Sequence, residues 1–442
     1  MNTVDIISKK RDGERLSREE IAYWISGVVS EAIPAYQSTA LLMAIRLRGM
    51  TDEETAVLTD EMARSGTVFG PDDLPGFTVD KHSTGGVGDT TTLVLIPLLA
   101  AAGLTIAKLS GRALGHTGGT IDKLESIPGF RTDLSRTTFL DQVRRTGFAL
   151  ADHTEDMVPA DRILYELRDV TATIDSLPLI VASIMSKKIA GGAMGIVIDV
   201  KTGAGAFLPE LEASRQLANT LVAIGSKLGR KMAALITDMS QPLGQMVGNA
   251  LEVCEAIDTL RGKGPDDLTT LCCELGAELL LFAGEAKDRS DALDRLRELL
   301  RDGSALEKFR ELVLEQGGNV ATLDDPSLLP RATRRVEARA DVTGTVSALN
   351  ALAIGRAANL LGAGRQTAED TIDPAVGVEL RAKIGDAVEK SQILALLHVN
   401  DETHLDEACA MVESAYEIDR TGAAHEPPPL IVERILSDPS DR

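Results

Sequence analysis

Aromatic residues make up only 3% of this 442-residue chain, and Trp24 is its single tryptophan. Proteins that hold single-stranded nucleic acid stack bases on aromatic rings, so this scarcity argues against that class. An excess of positive charge is missing as well. Acidic residues outnumber basic ones and leave a net charge of -21, which repels a polyanion and favours solubility without specifying a fold. Cysteine is sparse: Cys254, Cys272, Cys273 and Cys409 show no CxxC spacing, and adjacent cysteines do not easily close a relaxed disulfide or share one metal. Free buried thiols in a reducing cytosol are the simplest reading. The longest apolar run, LVLIPLLAAAGLTIA, is interrupted by Pro97 and Gly103 and is shorter than a membrane span. The opening MNTVDIISKKRDGERLS turns polar within a few residues and lacks the apolar core of a signal peptide. The expectation is a soluble, cytoplasmic protein with neither a membrane nor a nucleic-acid partner.

What is present points to an α/β protein of two or three domains. The first 66 residues read as all-helical: Ser17-Arg18-Glu19-Glu20 and Thr51-Asp52-Glu53-Glu54 both fit the capping box, with Gly66 as a left-handed stop after the second helix. GPDDLPG at 70–76 reads as a connection. From Phe77 the pattern becomes strand, glycine loop, helix, strand: FTVDK, the loop, TTLVLIPLLAAAG and TIAKL form a βαβ unit with its loop at the carboxyl end of the first strand. GIVIDVKTGAGA and AALITDMS repeat the form, which predicts a mostly parallel sheet with helices on both faces. Residues 161–193 have helical periodicity with Pro178 near a helix start, and are expected to rejoin the N-terminal helices. VTGTVSALNA, GVELRAKIGDAVEKSQILALLH and HEPPPLIVERI read as short strands of a C-terminal α+β module. The expected division is 1–66 with 161–193 for the small all-α domain, 77–155 with 195–335 for the α/β domain, and 342–435 for the last module.

Three clusters could carry chemistry. KHSTGGVGDTTT at 81–92 precedes a helix, so its backbone N–H groups can form a concave anion site backed by the helix dipole. It matches neither GxxxxGK[ST] nor GxGxxG, and a tight structural turn remains the alternative. SGRALGHTGGTIDKLE at 110–125 again puts hydroxyls, His and Gly after a strand, where it can face the same ligand. Ser110 and Thr120 would then add hydroxyl donors to those of Ser83 and Thr92, and Lys81 a positive charge. His116 and Lys123 stand evenly between a site role and a structural one. The third cluster, Tyr165, Arg168, Ser183, Ser186, Lys187 and Lys188, lies on the helical insertion. Arg168 and Lys187 are too far apart for one helix face, but a helical hairpin would bring them together; a solvated basic surface is the alternative.

Together KHSTGGVGD, SGRALGHTGGTIDKLESIPGF, LRDVTATIDSLPLIVASIMSKKIA and DVKTGAGAF resemble the pyrimidine nucleoside phosphorylase and thymidine phosphorylase family, over essentially the whole chain. The resemblance implies a homodimer with dimer contacts on the helical domain, and an active-site cleft between that domain and the α/β domain. It implies phosphate ligands at Lys81, Ser83, Thr92, Ser110 and Thr120, with Lys108 nearby. On the base side it implies Arg168, Ser183 and Lys187, with His82 near the base and Tyr165 and Leu114 lining the pocket. His82, Arg168 and Lys187 would be the catalytic groups. It further implies a bound potassium-like cation at Gly88, Thr90, Leu243, Met246 and Glu255, mostly through backbone oxygens, and no organic cofactor. Ala113 departs from the usual Gly. Lys108 is similar to the broad pyrimidine enzymes, whereas thymidine-restricted members tend to carry Met there.

The reaction so implied is reversible phosphorolysis of uridine, deoxyuridine and thymidine, giving free base and an α-pentose 1-phosphate. Competing readings are a phosphorylase restricted to 2′-deoxynucleosides, an anthranilate-type phosphoribosyltransferase and a non-catalytic nucleoside-binding protein.

Overall fold

The computed structural model describes residues 1–70, 72–112, 118–154, 156–365 and 370–437; Ala113, Leu114 and His116 therefore lie outside the described residues. Helices α1 (Thr3–Arg11), α2 (Arg18–Val29), α3 (Ala35–Arg48) and α4 (Asp52–Ala63) open the chain. Both predicted capping boxes form: Ser17 Oγ accepts from the Glu20 N–H and Thr51 Oγ1 from the Glu54 N–H, while each glutamate accepts in return from the cap residue's own N–H. Glu54 goes further. Buried at 3% exposure, it also accepts from Lys10 Nζ at 2.7 Å and from the Leu16 N–H at 2.8 Å, so one carboxylate caps α4 and fixes α1 and its following turn against it. Trp24 is fully buried between α2 and α3 and donates its indole N–H to Ser38 Oγ. Gly66 differs from expectation. It is not in the left-handed region; a Cβ there would come within 2.1 Å of the Asp156 carbonyl oxygen, so close approach of the returning chain is what excludes a side chain.

The α/β domain begins with β1 (Val79–Ser83), α5 (Thr91–Ala101), β2 (Ile106–Ser110), α6 (Thr120–Leu124), α7 (Arg136–Thr146) and β3 (Phe148–Asp152). The chain then returns to the helical side as α8 (Pro159–Asp169) and α9 (Leu177–Ala190), each with proline in its first turn, where the missing N–H costs nothing. These two helices pack on α2, α3 and α4. Next come β4 (Gly195–Thr202), α10 (Leu211–Lys227), β5 (Lys231–Asp238), β6 (Met246–Val247), α11 (Asn249–Leu260) and α12 (Asp266–Ala283). Strands β1, β4 and β5 pair in parallel. The parallel pair β2 and β3 continues the layer through a bridge between Thr78 and Thr105. The central sheet is thus mostly parallel, and its site loops leave from the carboxyl ends of β1 and β2.

The C-terminal module contains β7 (Arg334–Arg339), β8 (Gly344–Leu349), β9 (Gly377–Leu380), β10 (Ala387–Val388), β11 (Ile393–Val399) and β12 (Tyr416–Asp419) in two antiparallel sheets, with helices Ala351–Leu360 and Leu405–Ser414. It is knitted to the rest by β6, which pairs with β9. The HEPPPLIVERI segment departs from the expected grouping. Its strand, β13 (Ile431–Leu436), leaves the module and adds antiparallel to β5 at the edge of the central sheet. A free β5 edge would expose unpaired N–H and C=O groups, and the added strand covers them. Arg434 anchors it by ion pairs to Glu274 and Glu278 on α12.

Candidate active site

The first half-site is built where β1 runs into the glycine loop. Gly85 (φ +94°) and Gly88 (φ +69°) take left-handed conformations that let residues 84–90 fold back over the strand end before α5 starts at Thr91. Lys81 is buried at 1% exposure; its ammonium bonds the Thr91 hydroxyl and lies 3.7 Å from Asp89 Oδ1. Ser83 Oγ donates to Asp89 Oδ2 and Thr91 Oγ1 to Asp89 Oδ1, both at 2.5 Å. Burial alone would raise the Asp89 carboxyl, but Lys81, Lys201 and Lys123 outweigh it and hold the group well below its ordinary value. The carboxylate therefore gathers the cationic and hydroxyl donors around one point. Lys201 is fully buried 2.7 Å from Asp199 Oδ2, and those two acids, Asp199 and Asp89, overcome burial and raise its ammonium. Of the other residues expected here, Thr92 and Ser110 are buried at the start of α5 and the end of β2, and Thr120 is half-buried at the start of α6.

Asp80, one residue before Lys81, ties this half-site to its neighbours. Its Oδ1 accepts from Lys108 Nζ at 3.0 Å, and its Oδ2 lies 2.8 Å from Lys188 Nζ. Lys108 also donates to the Lys81 carbonyl oxygen at 2.6 Å. Burial would raise the Asp80 carboxyl, yet the two lysines bring it down to about 2. Burial pushes Lys108 the other way, down to about 7, with Asp80 opposing and Lys188 assisting. His82 follows Lys81 on β1. Burial, then Lys188, Lys108 and Lys81, keep its imidazole well below the usual range, so it is neutral at pH 7. His153 behaves alike, lowered to about 3 by burial and by Lys187, Lys188 and Lys108.

The second half-site is the helical hairpin of α8 and α9, in which Arg168 lies in the last turn of α8 beside the connection to α9, and Lys187 lies in the last turn of α9 opposite the first turn of α8. Arg168 is buried at 3% exposure and donates from Nη2 to the Ile174 carbonyl oxygen at 2.7 Å, from Nη1 to Leu179 at 3.2 Å and from Nε to Thr173 at 3.4 Å. Its guanidinium carbon is 5.8 Å from the Tyr165 ring centre. Lys187 donates to Ser183 Oγ at 3.1 Å and pairs with Asp161 Oδ2 at 2.5 Å. Because Lys188 follows Lys187 on α9, the Lys188–Asp80 pair brings the Lys187 end of α9 against the Lys81 strand β1.

A third cradle lies behind the glycine loop. A Cβ on Gly88 would sit 2.4 Å from the Leu243 carbonyl oxygen and 3.1 Å from that of Met246. Thr90 Oγ1 donates to Glu252 Oε2 at 2.9 Å. Glu255 accepts from the Gln245 N–H through Oε1 at 2.7 Å, while its Oε2 is buried with no partner among the described residues. Burial, with repulsion from Glu252 and Asp267, raises Glu255 to about 8. Converging carbonyls beside an orphaned carboxylate oxygen fit a monovalent cation held mainly by backbone oxygens.

Sequence reasoning missed Asp80, Asp89, Asp161, Asp199 and Lys201 as organisers. One signal was available: in IVIDVK, Asp199 and Lys201 fall two apart on an otherwise apolar strand and so share one face, where unpaired charge would be costly.

Comparison with known proteins gives the class first. Residues 76–306 match the profile described as the α/β domain of a glycosyl transferase family, and residues 4–66 its helical bundle domain. Residues 345–419 match the pyrimidine nucleoside phosphorylase C-terminal domain. The chain is 50% identical over 438 residues to the pyrimidine-nucleoside phosphorylase of Staphylococcus haemolyticus, covering 99% of this chain and 100% of that protein. It is 52% identical over 402 residues to that of Geobacillus stearothermophilus, covering 91% and 93%. The chain belongs to the pyrimidine-nucleoside phosphorylase family. A crystal structure of anthranilate phosphoribosyltransferase from Thermus thermophilus aligns with a TM-score of 0.59 at 18% identity, over 72% of this chain and 99% of that one, a likeness of fold alone.

Proposed function

We propose that this chain catalyses reversible phosphorolysis of pyrimidine nucleosides, accepting uridine, deoxyuridine and thymidine. The observation that carries the reading is the meeting, at Asp80, of a lysine and hydroxyl anion site on β1 with an arginine, serine and lysine site on the α8–α9 hairpin. In the forward direction a phosphate oxygen attacks the anomeric carbon, the bond to the base nitrogen breaks, and its electron pair leaves with the pyrimidine anion. Phosphate is already a nucleophile, so Lys81, Ser83, Thr92, Ser110 and Thr120 have to aim it rather than deprotonate it, with Lys108 adding charge. Arg168 and Lys187 stabilise negative charge as it develops on the leaving ring. His82, being neutral, acts as a hydrogen-bond donor to the base rather than as a stored proton. Tyr165 and Ser183 shape and polarise the base pocket.

Gly88, Thr90, Leu243, Met246 and Glu255 would hold a potassium-like cation, which when bound supplies fixed positive charge behind the loop. Tyr36 and Leu47 lie on one face of α3, each 73% exposed, and support a homodimer through the helical domain. None of the described helices is long and apolar enough to cross a membrane, and the reading is of a cytoplasmic enzyme.

The decisive experiment measures phosphorolysis of uridine, deoxyuridine and thymidine, repeats it for Lys108→Met, and offers phosphoribosyl diphosphate with anthranilate as the contrasting pair. Uridine turnover that falls relative to thymidine in Lys108→Met supports the broad specificity. Turnover of the anthranilate pair without phosphorolysis would overturn the reading.

A further inference from the structure

Asp80 and Lys188 have no task in the chemistry above, yet they are among its most constrained groups. Asp80 immediately precedes Lys81 on β1, and Lys188 immediately follows Lys187 on α9. Each is 5% exposed. Asp80 Oδ2 lies 2.8 Å from Lys188 Nζ, while Oδ1 accepts from Lys108 at 3.0 Å and from the Lys81 backbone N–H at 2.7 Å. One carboxylate therefore joins the phosphate-side strand, its neighbour β2 and the last turn of the base-side helix. The surrounding chain reinforces the junction: the Phe69 N–H donates to the Ala190 carbonyl oxygen and the Met194 N–H to that of Thr78.

This pairing fixes direction as well as distance. Successive side chains leave a helix about 100° apart, so anchoring Lys188 sets where Lys187 points. Successive side chains of a strand point to opposite faces, so anchoring Asp80 sets where Lys81 points. We infer that the Asp80–Lys188 ion pair is a pin that fixes the separation of the phosphate-binding and base-binding half-sites, and that both are positioning residues for the transfer. The inference rests on the phosphorolysis reading. A displacement of about 1 Å between otherwise intact half-sites can cost about a hundredfold in rate.

Lys188→Gln is the informative variant, because Asp80 keeps Lys108 as a partner. We expect kcat for uridine phosphorolysis to fall about a hundredfold, while the dissociation constants of phosphate alone and of uracil alone, by calorimetry, stay within about threefold of wild type. Lys188→Arg, which keeps the charge and can reach the same carboxylate, should recover most of the rate. Hydrogen exchange supplies a readout independent of turnover: residues 79–83 and 187–190 should lose protection together in Lys188→Gln. A kcat within about threefold of wild type would overturn the pin. So would a loss of phosphate affinity that accounts for the whole rate effect, or unchanged protection of both segments. A wild-type chain that performs no phosphorolysis would instead fail the functional reading, and the exchange measurement would still decide whether the pin exists.

Discussion

The Lys187 ammonium lies 2.5 Å from Asp161 Oδ2, and the other oxygen of that buried carboxylate has no partner among the described residues. Asp161 sits in the first turn of α8 and Lys187 in the last turn of α9, so the pair closes the hairpin at the lysine that the proposed function assigns to the base. Asp161→Asn keeps the shape and removes the charge. Hydrogen bonds to charged groups contribute about 1.5 to 3 kcal/mol, so kcat/KM for the nucleoside should fall roughly tenfold or more. Phosphate affinity, read by calorimetry, should change by less than about twofold. Equal losses on both ligands would contradict the assignment of Lys187 to the base side.

Arg168 holds the same hairpin from inside. A guanidinium has five N–H donors; three go to carbonyls of Thr173, Ile174 and Leu179, which leaves donors for a base oxygen. Arg168→Ala should therefore do two things at once. Turnover should fall about a hundredfold or more through loss of a donor to the developing anion. The stranded carbonyls, each costing about 1 to 3 kcal/mol when buried, should lower the thermal unfolding midpoint by several degrees. Calorimetric melting alongside initial rates checks both, and an unaltered melt would show that the carbonyl contacts do not stabilise the hairpin.

Much of this was legible in the sequence wherever the signal is local. The capping boxes at Ser17 and Thr51 are four-residue patterns, and the glycine loop at the end of β1 follows from its strand and helix neighbours. The ion pairs were not legible. Asp80 finds Lys108 and Lys188 only because β1, β2 and α9 converge, and nothing near Asp80 in the chain announces that. The run Thr90-Thr91-Thr92 shows the same limit at close range: Thr90 turns to Glu252, Thr91 to Lys81 and Asp89, and Thr92 is buried on α5. Neighbours on a helix point about 100° apart, so which hydroxyl meets which partner depends on where the helix starts. β13 was misplaced because its pattern fits a strand in either sheet; the uncovered edge of β5 decides.

Lys108 gives a pH prediction. Burial brings its ammonium down to about 7, so its positive charge is present below that pH and lost above it. If it assists phosphate binding, the ratio of wild-type to Lys108→Met phosphate affinity should be about tenfold near pH 6 and shrink toward unity by pH 8.5. Taking the ratio removes the titration of phosphate itself. Stability moves oppositely. Above about pH 7 the unfolded chain holds a proton at this lysine that the folded chain has released, so folding gains stability as pH rises toward the ordinary lysine value. Lys108→Met should flatten that rise in denaturant titrations.

The cradle behind the glycine loop predicts a cation dependence that one methyl group should abolish. Gly88 has φ +69°, a region in which L side chains are strained, and a Cβ would stand 2.4 Å from the Leu243 carbonyl oxygen. Gly88→Ala must therefore displace the loop at 243–246 or the strand end that leads to Lys81. Glu255 responds to the same occupant. Burial raises it to about 8, so near neutral pH it is largely protonated without a cation, and a cation favours its charged form and releases a proton. In wild type, potassium chloride should raise the melting temperature more than choline chloride of equal ionic strength, and the gain should grow from pH 6 to pH 8. Gly88→Ala should melt lower in both salts and lose the difference between them. A potassium-specific gain that survives in Gly88→Ala would place the cation elsewhere.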